Sequence, residues 1–501
     1  MLKSGRVPVL SPEEAASMVF DGATVAFGGF ANSGAPKLVP RALAHRVRQL
    51  HAVGVPFKIR VITGGAANTT VDEPLAGARA VSWRAPYQNS SSLRRQINEQ
   101  KVQYLDLHLS GVSRTLLSGF FGKVDFAIIE ATDVSSDGRV TLSSSIGIVP
   151  TLLQCAERII IEVNEHHSKR LGELSDIVVL PPPPKRGPVA ISHPLTRVGY
   201  PYAVVDPAKI VGFVNSGEPE EVAGLRPIDD TSTRIANHIA RFLGHEMRHG
   251  LIPNEFLPLQ LGVGNLCNGV MAALGNHPEI PPFRMYTLAV QDAMVELMEQ
   301  EKLLAASATG LAMTSDVLSR FYGNLDYFAS RVLLRPQEIS NDAGVVRRLG
   351  VIAINPAIEV DIYGNVNSSH IYGTDMVNGV GGSAEFTRNS FLSFMMCPSV
   401  TKGGRISTVV PMTPHIDNNE HSVQVVVTEQ GLADLRGLGP MQRARVIIEN
   451  CAHPAYREYL HRYIERSRMG HIRHDLENCY EMHLNLMDYG AMIPDMDFSA
   501  F

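Results

Sequence analysis

The segment VAFGGFANSGAPKLVPRAL (Val25–Leu43) reads as a buried strand, a glycine turn and the start of a helix. LQLGVGNLCNGVMAAL (Leu259–Leu274) repeats that order, with Gly262 standing where Gly28 stands. A second pair, DGRVTLSSSIG (Asp137–Gly147) and YGNVNSSHIYG (Tyr363–Gly373), recurs in the same order at a similar offset. One echo alone carries little; two in order predict a duplicated α/β domain. The β-like runs FKIRVITGG, VDFAIIEAT, RIIIEVN and IVVLP alternate with helix-like stretches, the pattern of α/β layers on largely parallel sheets. The prolines Pro181–Pro184 open an irregular segment reaching Pro207. A helix follows over DDTSTRIANHIARFLGHEMRHG, with Asp230 or Thr231 as N-cap and Gly250 as stop. The expected division is an N-terminal domain, 1–220, and a C-terminal domain, 221–501, with a ligand cleft between them.

Gly28-Gly29 and Gly262-Val263-Gly264 each end a strand and precede a helix, where exposed N–H groups can hold a phosphate or a developing oxyanion. The spacing is not GxGxxG, and no acid ends a second strand at the usual distance, which disfavours a dinucleotide fold. A tight turn with no ligand is the competing reading for each loop. NGVGGSAEF (Asn378–Phe386), with Gly379, Gly381 and Gly382, suits a mobile loop over a ligand or a plain flexible one. Asn341 in RPQEISN and Lys402 in TKGGRIS stand beside turn residues, where lone amides and lysines are most often structural. Cys267 near a helix start could be a nucleophile, although a small buried thiol is the commoner case. These residues together point to an enzyme that binds an anionic, phosphate-bearing ligand.

The 501 residues allow two full-sized cores, and 45% hydrophobic with 19% charged residues exclude a largely disordered chain. Net charge is −5 and the basic residues are scattered, so no footprint for nucleic acid is present. No apolar run has the length of a membrane span. The segment Met1–Phe20 lacks an apolar signal core and reaches the helix start Ser11-Pro12-Glu13-Glu14 at once. Lys3 and Arg6 keep a short organelle presequence open, so the expected compartments are the cytoplasm and the mitochondrial matrix. Five cysteines without CxxC spacing read as reduced thiols, and 18 histidines without an HExxH pair give no expectation of a metal site.

From about Arg6 to Arg466 the chain resembles the acetyl-CoA hydrolase/transferase family, which includes succinyl-CoA:acetate and propionyl-CoA:succinate CoA-transferases. The resemblance rests on GFANSGAPKLVP, YLDLHLS, EVNE, LQLGVGN, RPQEISN, VDIYGNVNSSH, NGVGGSAEFTRN, KGGRIS and VTEQGLADLRGL, in that order. It implies paired α/β domains and a homodimer acting on an acyl-CoA and a small carboxylate, with coenzyme A as substrate and no resident cofactor. The CoA site it implies comprises Gly262, Val263, Gly264, Asn265, Ile358, Asn378, Gly382 and Lys402. Asn341 corresponds to the amide that stabilises the thioester oxyanion, with the Gly382 loop beside it.

In one place the chain departs from the pattern. The family reads Tyr-Thr-Glu and the glutamate carries first the acyl group, then CoA; here Tyr286-Thr287 is followed by Leu288. Ping-pong transfer needs that carboxylate, whereas attack by water needs only a bound thioester, an oxyanion hole and a proton acceptor. The expected activity is therefore hydrolysis of acetyl-CoA or another short acyl-CoA. CoA transfer without a glutamyl-CoA intermediate and CoA binding without turnover are the alternatives. Asp292 and Glu385 are candidate bases, each with a helix-start or structural role as the competing reading.

Overall fold

The computed structural model describes residues 7–222, 224 and 227–499, so the basic Lys3 and Arg6 lie outside the described residues. The chain separates into two compact units, each discontinuous in sequence. The first comprises Met1–Gly224, Arg284–Leu349 and Asn378–Gly382; the second comprises Leu225–Phe283, Gly350–Val377 and Ser383–Phe501. A cut at residue 220 places Arg284–Leu349 and Asn378–Gly382 in the second half, whereas by compactness they group with the first unit.

In the first unit, parallel strands lie in the spatial order Gln103–Tyr104, Val81–Ala85, Ile59–Ile62, Thr24–Phe27, Phe126–Val134, Arg158–Asn164, Ile210–Ser216. Ile128, Ile129, Ile160 and Ile161 are fully buried, as expected for continuous apolar runs covered on both faces. The turn after Phe27 stands where the strand order reverses, the usual crevice of an open parallel sheet. The same unit carries the parallel pair Leu303–Ala308 and Val332–Leu334, and the short pair Ala289–Gln291 and Gly310–Ala312. The second unit runs Leu259–Leu261, Ile352–Pro356, Leu392–Met396 and Val425–Thr428 in parallel, closed by the antiparallel Gly431–Asp434.

Two local expectations are corrected. IVVLP forms no ladder; Ile177 makes one isolated bridge to Tyr200, and the place beside Arg158–Asn164 goes to Ile210–Ser216. The proline run cannot donate to a ladder, which accounts for the difference. The helix Asp230–Arg248 is capped by Asp229, whose carboxylate accepts from the Ser232 N–H at 2.7 Å, so Asp230 is its first residue. Gly250, at φ 73°, follows the helix end as expected. Among the described residues no helix is long and apolar enough to cross a membrane.

A buried charge cluster organises the first unit. The helix Leu38–Ala52 has no side-chain cap of its own. Glu162, on a central strand, supplies one by accepting from the N–H groups of Lys37, Leu38 and Val39 at 2.7, 3.1 and 2.6 Å. Lys37 Nζ lies 2.6 Å from Glu130 Oε2 and 3.3 Å from Glu220 Oε2, all wholly buried. His167 Nε2 lies 3.2 and 3.3 Å from Oε1 of the same two carboxylates. It points squarely at neither, so the N–H is shared between the two, with hydrogen bonding and charge attraction both acting. Burial alone would lower the imidazole pKa; the two carboxylates outweigh it and raise the value to about 9. Two cations against two carboxylates leave the cluster near neutrality.

Because the folded imidazole binds its proton more tightly than the unfolded one, its stabilisation is complete below about pH 6.5. That stabilisation is lost as pH rises through about 9. His167→Gln should lower stability by roughly 3 kcal/mol at pH 6.5. It should also flatten the decline of stability between about pH 7 and 9.5 that the parent protein shows. Urea unfolding across that window measures both.

Candidate active site

Three strand ends position Leu288 and Asn341 in the first unit. The strand Phe283–Tyr286 runs out at Thr287 and Leu288, and its neighbour Leu303–Ala308 runs out at Thr309. The Thr287 N–H donates to Ser307 O at 2.8 Å and the Thr309 N–H to Leu288 O at 2.9 Å, which fixes the backbone of both ends. Beyond Val332–Leu334 the chain enters the short helix Gln337–Ser340, capped by Asn341. Tyr286 Oη donates to Ile339 O at 2.6 Å and ties that helix to the strand carrying Leu288. Arg335, wholly buried, donates to Ser307 Oγ at 2.8 Å and pairs with Asp176, which holds the segment from below.

Leu288, Asn341 and Gly382 come together. A Cβ on Gly382 would lie 2.7 Å from Asn341 Nδ2 and 2.8 Å from Leu288 Cδ1. Asn341 is buried, and its Oδ1 accepts from Ser340 Oγ at 2.9 Å, which turns the amide nitrogen toward Gly382. Leu288 joins an apolar cluster of Phe30, Leu109 and Ala289, with Ala31, Tyr87 and Ala312 packed against it. An ionised carboxylate placed there would face alkyl and aromatic carbon, whereas a leucine side chain is at home. Asp292, first residue of the helix Asp292–Glu299, accepts from the Thr314 N–H and Oγ1 at 2.9 Å each, one on each oxygen. That engagement ties the helix start to the neighbouring chain.

The glycine-rich loop is tied down in this structure. The Asn378 C=O accepts from Tyr104 Oη, the Val380 N–H donates to Asp106 Oδ2 at 2.9 Å, and the Tyr87 phenol bonds the Asn378 side chain. In the sequence the loop's glycines suggest mobility; their role here is to let aromatic rings lie flush on the backbone. Of the neighbours, Tyr104, Asp106 and Leu109 lie in YLDLHLS, where the sequence alone gives them no role, and Tyr87 is missed at the level of sequence. A signal was present in Gly379 and Gly381, since glycines so spaced also mark a close approach.

Of the implied CoA residues, Asn378 and Gly382 belong to the first unit and the rest to the second. Leu259–Leu261, Ile352–Pro356 and Leu392–Met396 are parallel neighbours, and Gly262–Asn265, Ile358 and Lys402 all follow their C-terminal ends. Gly262 packs tightly: its N–H donates to Ile354 O at 3.1 Å, and a Cβ would lie 2.8 Å from Pro356. Val263 is exposed, and Gly264 has φ 126°, with nothing among the described residues where its Cβ would stand. The first unit's counterpart differs, because a Cβ on Gly29 would meet Ala35 at only 2.6 Å. The tight-turn reading fits Gly28-Gly29 and Gly262, whereas the open-loop reading fits Val263-Gly264. Glu385 sits buried in the second unit's helix Ser383–Asn389.

All five cysteines are free, and four of them are buried. Burial pushes the Cys267 and Cys397 thiols up to about 12 and Cys155 up to about 11, and it raises Cys451 and Cys479 as well. Cys267 therefore lacks thiolate character. Glu130, His167 and Glu220 have the spacing of metal ligands, and among the described residues they form the one such group. The Lys37 ammonium and the protonated His167 already neutralise that pair of carboxylates, so the donor set does not suit a divalent cation.

Residues 7–215 match the family model of the Acetyl-CoA hydrolase/transferase N-terminal domain, and residues 318–464 that of the C-terminal domain. The chain belongs to the acetyl-CoA hydrolase/transferase family. It is 50% identical over 484 residues to the propanoyl-CoA:succinate CoA transferase of Escherichia coli, covering 97% of this chain and 98% of that one. It is 39% identical over 502 residues to the acetyl-CoA hydrolase of Schizosaccharomyces pombe, covering 97% and 96%. It is 38% identical to the succinyl-CoA:acetate CoA-transferase of Clostridium kluyveri, covering 97% and 90%. In fold it is similar to RipA from Yersinia pestis, with a TM-score of 0.69 at 21% identity, covering 91% of this chain and 96% of that one.

Gly382→Ala should displace the loop, because neither neighbour 2.7–2.8 Å away is the free end of a long side chain. The expected cost is about 1–3 kcal/mol in urea unfolding, with protease nicking concentrated at Asn378–Gly382.

Proposed function

We propose that the protein hydrolyses acetyl-CoA or another short-chain acyl-CoA to the free acid and coenzyme A. Its family contains both acetyl-CoA hydrolases and CoA-transferases, and CoA-thioester chemistry is common to the two. The single observation that favours hydrolysis is Leu288, an isobutyl group beside Asn341 and Gly382 where the resemblance puts a nucleophilic glutamate. Leucine can hold neither an acyl group nor CoA, so the reading has water attack the thioester carbon directly. The C–O bond forms, the C–S bond breaks, and the thiolate leaves to be protonated. The Asn341 amide, with the Gly382 loop beside it, stabilises the oxyanion. CoA is held at Gly262–Asn265, Ile358, Asn378, Gly382 and Lys402, as the resemblance implies. Asp292, whose two oxygens are engaged by Thr314, and Glu385 are the two candidate bases.

The 50% identity to a propanoyl-CoA:succinate CoA transferase supports a second reading, transfer to a carboxylate without a glutamyl-CoA intermediate. A homodimer in the cytoplasm or mitochondrial matrix belongs to either reading.

Incubation with acetyl-CoA, with and without succinate, separates the readings. Thiol release independent of succinate is expected; succinyl-CoA formation overturns hydrolysis in favour of transfer, and neither product leaves a CoA binder. Asn341→Ala should lower kcat by about 10²–10³-fold. Leu288→Glu should yield an enzyme–CoA thioester reducible by borohydride, and failure to trap one would mean that more than one residue separates this site from a transferase.

A further inference from the structure

We propose that Tyr104 and Asp106 form a latch that positions the Gly379–Gly382 backbone against Asn341, and that Arg84 and Asp72 fix the platform on which the latch rests. The proposal rests on reading the Gly382 loop as part of the oxyanion site. Tyr104, in the edge strand Gln103–Tyr104, pairs in register with Arg84. Two residues on, Asp106 receives the Val380 N–H at 2.9 Å, while Tyr104 Oη donates to the Asn378 C=O. The two bonds grip the loop at alternate residues, Asn378 and Val380, the second of them two residues before Gly382, where a Cβ would meet Asn341.

The glycines show that the fit is close on every side. A Cβ on Gly379 would lie 2.6 Å from Tyr104 Oη and 3.2 Å from Asp106 Cβ, and one on Gly381 would lie 3.2 Å from the Tyr87 ring. Gly379 and Gly381 also have φ 148° and 58°, so the backbone path across these rings is one that other residues resist. Any residue but glycine at either place would lift the loop from its seat.

The platform is itself braced. Arg84, wholly buried, donates through Nε to Asp72 Oδ1 at 2.8 Å and through Nη2 to Asp72 Oδ2 at 3.0 Å. Nη2 also donates to the Tyr87 C=O at 2.8 Å, and the Arg84 C=O accepts from the Leu105 N–H at 3.0 Å. One ion pair thus sets the positions of Tyr87 and of the strand that carries Tyr104. Tyr104, Asp106, Arg84 and Asp72 act through the loop backbone and its support, so they are positioning residues. A donor held in place before reaction serves the transition state more than the bound substrate, and its loosening falls on kcat.

The test uses Tyr104→Phe and Asp106→Ala in the full chain, with Asp106→Asn as the variant that keeps an acceptor oxygen. Amide exchange within Gly379–Gly382 should quicken about 5- to 10-fold in Tyr104→Phe and in Asp106→Ala, and less in Asp106→Asn, with exchange in the core strands unchanged. Acetyl-CoA turnover should fall in kcat by a similar factor in the same rank order, with KM nearly constant. Unchanged loop exchange, or faster exchange spread evenly through the chain, overturns the latch. Loop exchange that quickens without any fall in kcat overturns its positioning role. If the parent protein releases no thiol from acetyl-CoA, the function proposed above fails, and the exchange measurement still decides whether the latch holds the loop.

Discussion

A buried ammonium persists in a protein only where carboxylates surround it closely enough to replace water, and Lys37 sets that condition for the first unit. Meeting it brings together the strand residue Glu130, the irregular segment carrying Glu220, and His167 beyond the end of a central strand. The same turn delivers the Lys37 N–H, with those of Leu38 and Val39, to Glu162. The glycine turn above it is closed by the Gly34 N–H, which donates to Glu220 Oε1 at 2.8 Å. Losing any one of these groups strands the others without solvent, so the cluster behaves as a unit. Its position under the turn after Phe27 occupies the crevice that an open parallel sheet commonly gives to a ligand.

That occupation separates the two echoing halves of the sequence. At Gly28-Gly29 the chain packs against Ala35, and the charges beneath are internally satisfied. At Gly262–Gly264 the turn carries an exposed valine and a glycine whose missing side chain faces open space. Of the two turns, the first is a structural joint, and the second is accessible at Val263-Gly264.

Much of this was legible in the sequence because the relevant signals are local. Strand–glycine–helix order, the apolar runs at Phe126–Val134 and Arg158–Asn164, and the glycine after Arg248 follow from period and turn chemistry over a dozen residues. IVVLP failed for a nonlocal reason: a run of suitable composition has no strand partner if the next segment cannot continue the ladder. The N-cap moved by one residue because Asp229 and Asp230 are chemically identical and only the path of the chain chooses between them. At the site, Leu288, Asn341 and Gly382 were singled out by resemblance, and the packing that joins them depends on strand ends far apart in sequence. Tyr104 and Asp106 stood within YLDLHLS without a role, and Tyr87 outside every motif, because nothing in a sequence says which ring a glycine makes room for.

The thiols have a practical consequence. Four of the five are buried, and desolvation keeps all of them protonated at neutral pH. Alkylating and disulfide-exchange reagents react with thiolates, so the folded chain presents them with almost no chemical background. A single cysteine engineered onto the surface would become a selectively addressable handle for a fluorophore or spin label, with the native cysteines left in place.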